Sequence, residues 1–172
     1  QIVTNAGDAE LQGMDFNLAF QATEGLSLGI SGAYYDTEFV SIKGASENPT
    51  VNGSLGKPIG NVPKFTGTAG ISSDFNLTSS IPGFIRLDYS HKGRANVAPV
   101  GSLKKPWSYP EQSAVMQMLD LSSGLELNQW SIGFFVDNLL NERENSSPDP
   151  IPSLATHPKP RTVGISIGIS FD

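Results

Sequence analysis

The clearest pattern typical of catalysis lies close to the end of the chain. The string GISIG, residues 164–168, has the G-x-S-x-G spelling of a hydrolase nucleophile elbow. Such an elbow requires a strand, a sharp turn and a helix, followed along the chain by an acid and then a histidine. Only six residues follow Ser166, and both histidines, His91 and His157, precede it. We therefore predict that Ser166 is not a nucleophile and that the protein is not an enzyme.

Two further chemical patterns are incomplete. GSLGKP, residues 53–58, is similar to a phosphate-binding Walker A loop, but that loop needs four residues between its glycines and a hydroxyl after the lysine, where Pro58 stands. The two histidines lie 66 positions apart and the chain has no cysteine, so the usual ligand spacing of a zinc site is missing. The sequence predicts no metal site and no cofactor.

The composition indicates an ordered protein rich in chain breaks. Of the 172 residues, 38% are hydrophobic and 16% are charged, and 18 glycines and 12 prolines favour many short breaks in the chain over long helices. The net charge is −6, and the eleven lysines and arginines are dispersed along the chain. This excludes the basic surface that a nucleic-acid partner requires.

In the segments that contain these residues, large apolar side chains alternate with small or polar ones, a pattern with a period of two residues. In the last stretch, Val163, Ile165, Ile167, Ile169 and Phe171 alternate with Thr162, Gly164, Ser166, Gly168 and Ser170. The same alternation predicts seven strands, at about 13–20, 26–31, 64–75, 83–93, 114–127, 130–138 and 162–171. Several exceed ten residues, which is near the roughly 9 to 11 residues that a tilted strand needs to cross a bilayer.

The connections between these strands alternate in length. Short ones are predicted at Glu24-Gly25, 76–82 and Asn128-Gln129, and long ones at 41–62, 95–112 and 140–161. Transmembrane β-barrels have short periplasmic turns and longer extracellular loops. The sequence therefore predicts an all-β fold, an antiparallel up-and-down transmembrane β-barrel segment, with its C-terminus on the periplasmic side of a bacterial outer membrane.

Charged and aromatic residues support the same orientation. The alternation places six mid-strand charges on the face with small polar residues: Asp15, Arg86, Asp88, Asp120, Glu126 and Asp137. Aromatic residues occupy two levels, which predicts lipid-facing girdles at both interfaces. The level at the short turns contains Phe20, Phe75, Phe84, Trp130 and Phe171, and the level toward the long loops contains Tyr34, Tyr35, Phe39, Phe65 and Tyr89.

Four segments in order resemble the TonB-dependent outer-membrane receptors. They are NAGDAELQGMDFNLAF (5–20), GKPIGNVPKFTGTAGI (56–71), FFVDNLLNERE (134–144) and PRTVGISIGISF (160–171). The resemblance implies a larger barrel of about 22 strands with a plugged lumen, of which residues 1–172 form the C-terminal part without the plug domain. It also implies that Phe171 is the terminal aromatic assembly signal, although Asp172 follows it here.

The resemblance further implies the activity and the partners. Such receptors import scarce nutrients, namely ferric siderophores, cobalamin or oligosaccharides, by coupling to the TonB complex. The implied partners are outer-membrane lipid and lipopolysaccharide, the plug domain of the full-length protein, the TonB complex, and a small-molecule or oligosaccharide solute.

The long loop 95–112 contains the candidate ligand contacts. Lys104 and Lys105 are cations suited to an anionic chelate, and Trp107 and Tyr109 are suited to stacking on a ring. The alternative is that both aromatics anchor the loop in the interfacial belt while the lysines meet lipopolysaccharide phosphates.

Two other functions are compatible with the sequence. One is a complete small outer-membrane barrel of eight strands with a structural or adhesive role. The other is a soluble carbohydrate-binding β-sandwich, which would bury the apolar face against a second sheet. The residues that distinguish the sandwich from a membrane wall are Ile132, Phe134, Val136, Ile165 and Ile167.

Overall fold

The computed structural model describes residues 7–42, 55–96, 112–144 and 156–171. These residues form one antiparallel sheet of seven strands in which neighbours along the chain are neighbours in the sheet. The strands are β1 (Gly7–Thr23), β2 (Leu26–Ile42), β3 (Phe65–Thr78), β4 (Ile81–Lys92), β5 (Met116–Leu127), β6 (Trp130–Asp137) and β7 (Thr162–Ile169). The predicted all-β fold is confirmed. Within the described ranges, no helix has the length and apolar character needed to cross a membrane.

The connections alternate in length as predicted. Two-residue turns join β1 to β2, β3 to β4, and β5 to β6, whereas the other three connections run over residues 43–64, 93–115 and 138–161. The β3–β4 turn is shorter than expected, because Thr78 still pairs with Ile81 across it. The β1–β2 hairpin is longer than expected, with 17 residues in each strand. All short turns therefore lie at one end of the sheet and all long connections at the other.

The pairing register divides the sheet into two faces. Ile132 pairs with Ile167, whereas the next residue along β6, Gly133, pairs with Ser166. Paired residues on neighbouring strands point to the same side of a sheet, and consecutive residues point to opposite sides. We call the side of Ile167 the apolar face and the side of Ser166 the polar face.

The apolar face is not covered by other described parts of the chain. Four of the five residues chosen above as a test are exposed, namely Ile132, Phe134, Ile165 and Ile167. Ile165 and Ile167 are 70% and 68% exposed. Val136 is the exception at 6%, and it lies between Leu121 and Val163 in the register. The described residues form one sheet, so the arrangement favours a membrane wall over a β-sandwich.

The mid-strand charges lie on the predicted side. Asp88 pairs with Asp120, Arg86 pairs with Ser122, and Glu126 pairs with Ser131. Following the register across the sheet places the whole predicted set on the polar face: Asp15, Arg86, Asp88, Asp120, Glu126 and Asp137.

The girdle prediction is wrong for three aromatic residues. Phe84, Tyr35 and Phe39 stand at the predicted levels along their strands but on the polar face. The position of a residue along its strand does not determine which face its side chain is on. Ile85 lies on the apolar face, so its neighbour Phe84 lies on the polar face. The ring of Phe84 instead covers Gly124 on the neighbouring strand, where a Cβ would lie 2.6 Å from Phe84 Cε1. Aromatic rings that cover cross-strand glycines in this way help to fix the pairing register.

Candidate functional site

The polar face contains a rung of charge at the middle of the sheet. Asp88 and Asp120 are direct cross-strand partners, and like charges in such positions repel each other. The Asp88 carboxylate extends over the neighbouring strand, since a Cβ on Gly70 would lie 3.0 Å from Asp88 Oδ1. Asp120 Oδ1 accepts a hydrogen bond of 2.7 Å from the backbone amide of Asn138. Among the described residues, a backbone donor therefore satisfies the carboxylate of Asp120 but not that of Asp88.

Arg86 lies one rung closer to the short turns. Its strand neighbours on the polar face are Ser72 and Ser122, and its guanidinium carbon lies 5.9 Å from the centroid of the Phe84 ring. That distance is at the outer limit of a cation–π interaction. Arg86 forms no ion pair with another described residue. The guanidinium can thus pair with an anionic group that approaches the polar face of the sheet.

An open concavity of about 550 Å³ lies on the polar face toward the long connections. Two consecutive rungs form most of it, Ser31–Thr68–Ser90–Met118 and Ala33–Thr66–Lys92–Met116. The carboxylate residue Asp15, which pairs with Ala33, also lines it. Ser31 Oγ and Thr68 Oγ1 share a hydrogen bond of 2.7 Å. We call the eight residues of these two rungs the upper concavity, because they lie nearer the long connections than the Asp88–Asp120 rung does.

Asn138 holds the base of the β6–β7 connection together. It is 1% exposed, and its Nδ2 donates to the carbonyl oxygens of Glu142 and Lys159 at 2.9 and 2.8 Å. Its Oδ1 accepts from the Glu142 amide at 2.8 Å. A single side chain therefore joins both ends of this connection to the end of β6.

The other loop bases are also joined to the sheet and to each other. The Ile59 amide donates to Thr37 Oγ1 at 3.1 Å, and the Asn61 amide donates to the carbonyl of Asn96 at 2.6 Å. Residues on either side of the β4–β5 connection pair as well, since Ser113 donates through its amide to the Ala95 carbonyl at 2.8 Å. The strand ends are thus rigid at the places where the long connections leave the sheet.

The predicted site residues have different outcomes. Lys104, Lys105, Trp107 and Tyr109 lie outside the described residues. Phe171 is 83% exposed, and the amide of its neighbour Ser170 donates to the carbonyl of Gln129 at 2.8 Å. This bond places the end of β7 beside a short turn, as predicted.

Ser166 lies on the polar face as predicted. It pairs with Gly133, and its Oγ occupies the space that a Cβ on Gly133 would need. No hydrogen bond joins its hydroxyl to an acid or a histidine in the described ranges. His91 lies on the apolar face with its ring 5.7 Å from that of Phe65, and the His157 ring contacts the carbonyl of Arg143. Metal-ligating residues do not form a group of three or more within the described part of the chain.

The sequence analysis did not single out Asn138. The sequence did contain a usable signal, because two asparagines, Asn138 and Asn141, stand three residues apart at the end of a predicted strand. In the structure both have positive φ, 54° and 56°. Asparagine adopts this left-handed conformation more readily than most residues. The residues of the upper concavity gave no such signal, because they come from four different strands.

The sequence matches, over residues 1–139, the family described as TonB dependent receptor-like, beta-barrel. The chain belongs to this family. TonB-dependent receptor barrels are outer-membrane proteins, and the family consists of receptors and transporters. The resemblance noted in the four sequence segments is thereby confirmed.

Two solved structures share the TonB-dependent receptor fold with this chain. The ferric yersiniabactin uptake receptor FyuA from Yersinia pestis is 22% identical, with a TM-score of 0.76, and the match covers 98% of this chain and 24% of that one. BauA, the ferric preacinetobactin receptor from Acinetobacter baumannii, is 16% identical, with a TM-score of 0.72 and coverage of 98% and 23%. The chain thus spans about a quarter of each receptor. No curated protein matches the sequence.

Proposed function

We propose that this chain is the C-terminal part of the barrel wall of an outer-membrane receptor for TonB-dependent uptake of a scarce nutrient. The observation that carries the proposal is a sheet with one exposed apolar face and one charged, hydroxyl-rich face, in a chain of the TonB-dependent receptor barrel family. The apolar face would contact lipid and the polar face would line the lumen.

The two free edges of the sheet support a larger barrel. β1 and β7 are the ends of the strand order and do not pair with each other in the described part of the chain. An unpaired strand edge is costly in hydrocarbon, where water cannot satisfy the backbone groups. Both edges would therefore pair with further strands of a barrel of about 22 strands that surrounds a plug. A complete eight-stranded barrel would instead have to close with one additional strand.

The alternation of connections supports an orientation. The short turns and Phe171 would be periplasmic, with Phe171 read by the assembly machinery, and the long connections would be extracellular. In the loop 95–112, Lys104, Lys105, Trp107 and Tyr109 would contact the solute or, alternatively, lipopolysaccharide and the interfacial belt. In either case, hydrogen bonds at the loop bases hold these connections at fixed points of the wall.

The proposed mechanism requires no covalent step on the solute. Surface loops capture the solute, the TonB complex pulls on the plug, and the solute passes along the polar face. Ferric siderophores are the first solute class to test, since FyuA is named as a ferric yersiniabactin uptake receptor and BauA as the ferric preacinetobactin receptor. Cobalamin and oligosaccharides are the other classes that the family takes up.

Uptake of radioactive iron by whole cells tests the proposal. The full-length gene is deleted in its host, and uptake is measured from a panel of ferric siderophores with and without a functional TonB complex. We expect at least one complex whose uptake requires both the gene and TonB. Uptake that depends on the gene but not on TonB would contradict the proposal, as would recovery of the full-length protein in the soluble fraction without detergent.

A further inference from the structure

The base of the β6–β7 connection brings four basic residues together. Asn141 Oδ1 accepts hydrogen bonds from Arg143 Nε at 3.3 Å and from the backbone amide of Arg161 at 3.4 Å. The His157 ring contacts the carbonyl of Arg143 at 3.0 Å, and Lys159 stands two residues before Arg161. All four basic residues are exposed. We call Arg143, His157, Lys159 and Arg161 the basic rim.

The carboxylates of the same connection do not neutralise the basic rim by contact. Glu142 Oε1 accepts hydrogen bonds from the backbone amides of Arg143 and Glu144, each at 2.9 Å, which holds this carboxylate against its own turn. Neither Glu142 nor Glu144 forms an ion pair with another described residue. In the described part of the connection, three arginine and lysine side chains stand against these two carboxylates. The fixed charge is therefore positive even when His157 is neutral.

Arg161 lies on the apolar side of the wall. Thr162 pairs with Asp137 on the polar face, and Val163 pairs with Val136 on the apolar face. Consecutive residues of a strand point to opposite sides, so Arg161, which directly precedes β7, shares the side of Val163. The carboxylate of Asp137 points to the other side of the sheet and leaves the charge of Arg161 uncompensated there.

The length of β7 places Arg161 at the outer edge of the apolar band. Ile169 pairs with Trp130 near the short turns, and Arg161 lies eight residues further along the chain. Eight residues at 3.3 Å extend roughly 26 Å along the strand, or roughly 20 Å across the membrane at a tilt of about 40°. The apolar band of such barrels is about 25 Å tall. The arginine stem covers the remaining distance, so that its guanidinium reaches the headgroup layer.

The other end of the sheet has the opposite charge at this level. Glu10 pairs with Glu38 and Gln12 pairs with Asp36, all in phase with the apolar face. β2 lies five strands from β7, or roughly 24 Å at 4.8 Å per strand, which exceeds the screening length of about 8 Å at physiological salt. The Lys64 ammonium beside these acidic strands lies 3.4 Å from Asp36 Oδ1. A cation at the acidic end is thus paired, whereas the basic rim keeps its charge.

We infer that the basic rim binds the phosphate groups of an outer-leaflet glycolipid, the lipid A part of lipopolysaccharide. Arg143 and Arg161, brought together at Asn141, present planar guanidinium groups whose N–H donors match a phosphate in pairs. Lys159 adds a further cation, and the exposed His157 ring a further polar group, beside them.

The surface below the basic rim suits acyl chains. Val163 and Ile165 follow Arg161 toward the short turns on the same side of β7, and they are 60% and 70% exposed. A free phosphate ion would use the cations alone, whereas a phosphorylated lipid uses both the cations and the apolar residues below them. The inference rests on the proposed function, because it requires the long connections to be extracellular.

Binding of labelled lipid A to the purified full-length receptor tests the inference. The probes are diphosphoryl lipid A and the same lipid without phosphate, titrated in nonionic detergent with EDTA so that divalent cations do not bridge. Arg161→Gln and the double variant Arg143→Gln/Arg161→Gln remove charge, whereas Arg161→Lys retains it. Lys64→Gln is the matched control, since it removes a paired cation at the same end of the sheet. Inorganic phosphate is the competitor that distinguishes a lipid from a free anion.

We expect the wild type to bind the diphosphoryl lipid at least tenfold more tightly than the lipid without phosphate. Arg161→Gln should weaken binding of the diphosphoryl lipid about tenfold, as expected for loss of one charged hydrogen bond, and the double variant should weaken it further. Both should leave binding of the lipid without phosphate unchanged. Arg161→Lys should lose less than Arg161→Gln, and Lys64→Gln should stay within about threefold of the wild type.

Four results would overturn the inference. They are the absence of a preference for the diphosphoryl lipid, unchanged binding by the double variant, an equal loss for both lipids, and displacement of the lipid by an equal concentration of inorganic phosphate. The first would indicate that another segment of the receptor covers the basic rim, and the last that the rim binds a free anion. TonB-dependent iron uptake that persists alongside any of them would overturn the inference alone. Loss of TonB dependence in the uptake experiment would overturn the proposed function independently of Arg161.

Discussion

The backbone amide of Asn138 donates a hydrogen bond of 2.7 Å to the carboxylate of Asp120. This bond links the charged rung of the wall to the base of the β6–β7 connection, where the Asn138 side chain also contacts Glu142 and Lys159. The arrangement explains how Asp120 is tolerated directly opposite Asp88. A movement of this connection would therefore change the surroundings of a carboxylate on the polar face.

Replacement of Asn138 by glycine should destabilise the full-length receptor. Glycine accepts the positive φ of this position without strain, so the loss is due to the side chain. Three hydrogen bonds of a buried amide are removed, which at about 1 kcal/mol each gives about 3 kcal/mol. Urea unfolding in detergent micelles provides the measurement.

Asn61→Gly is the matched control for that experiment. Asn61 also has positive φ, 62°, but its side chain is exposed and its backbone bond to Asn96 survives the change. We expect the unfolding midpoint of Asn61→Gly to remain close to that of the wild type. Equal effects of the two substitutions would refute the role assigned to the Asn138 side chain.

A lysine in the middle of β7 should reduce folding in the membrane at Ile165 but be tolerated at the adjacent Ser166. Ile165→Lys places an ammonium on the apolar face, where a lysine at the bilayer midplane costs about 2–4 kcal/mol. Ser166→Lys places it on the polar face at nearly the same depth. Gel mobility of unheated and heated samples measures the folded fraction in the outer membrane. If Ser166→Lys reduced that fraction as much as Ile165→Lys, the assignment of faces would be wrong.

Alanine should be tolerated at Gly29 but not at Gly164. A Cβ on Gly164 would overlap the Phe135 ring, whereas a Cβ on Gly29 meets nothing within 4 Å. Gly29→Ala should be neutral or stabilise by about 0.4–1 kcal/mol, because the unfolded chain loses freedom. Gly164→Ala should lower the unfolding midpoint, and adding Phe135→Leu should recover part of the loss. A double variant no better than Gly164→Ala alone would show that the ring is not the cause.

Phe171→Ala should reduce the amount of receptor that reaches the outer membrane. Phe171 lies at the short-turn end and is exposed, in the position that the family resemblance assigns to the assembly signal. Trp130→Ala removes another exposed aromatic side chain from the same end of the apolar face and is the control. Immunoblots of outer-membrane fractions should show a several-fold loss for Phe171→Ala and a smaller one for Trp130→Ala. Similar losses would assign both residues to the interfacial girdle.

Much of the fold could be predicted because it depends on local patterns. Alternation within β7 separates Ile165 from Ser166 using no information from elsewhere in the chain, and the turn at Glu24-Gly25 is recognisable from its own residues. The same alternation places Phe84 on the face opposite to Ile85, and it therefore contradicts the prediction that Phe84 faces lipid. For the same reason, all six predicted mid-strand charges lie on the polar face.

The sequence by itself determined the strands, the two faces and the alternation of connections, since each depends on residues close together in the chain. Only the tertiary structure decided which residues share a rung. Ser31, Thr68, Ser90 and Met118 meet because four strands pair in one register, and Asn138 meets Lys159 across 21 positions. Register is a property of both partners and of the connection between them, and a shift of one residue would move every side chain to the other face. The charged rung and the upper concavity therefore depend on pairing between distant segments, which no local pattern specifies.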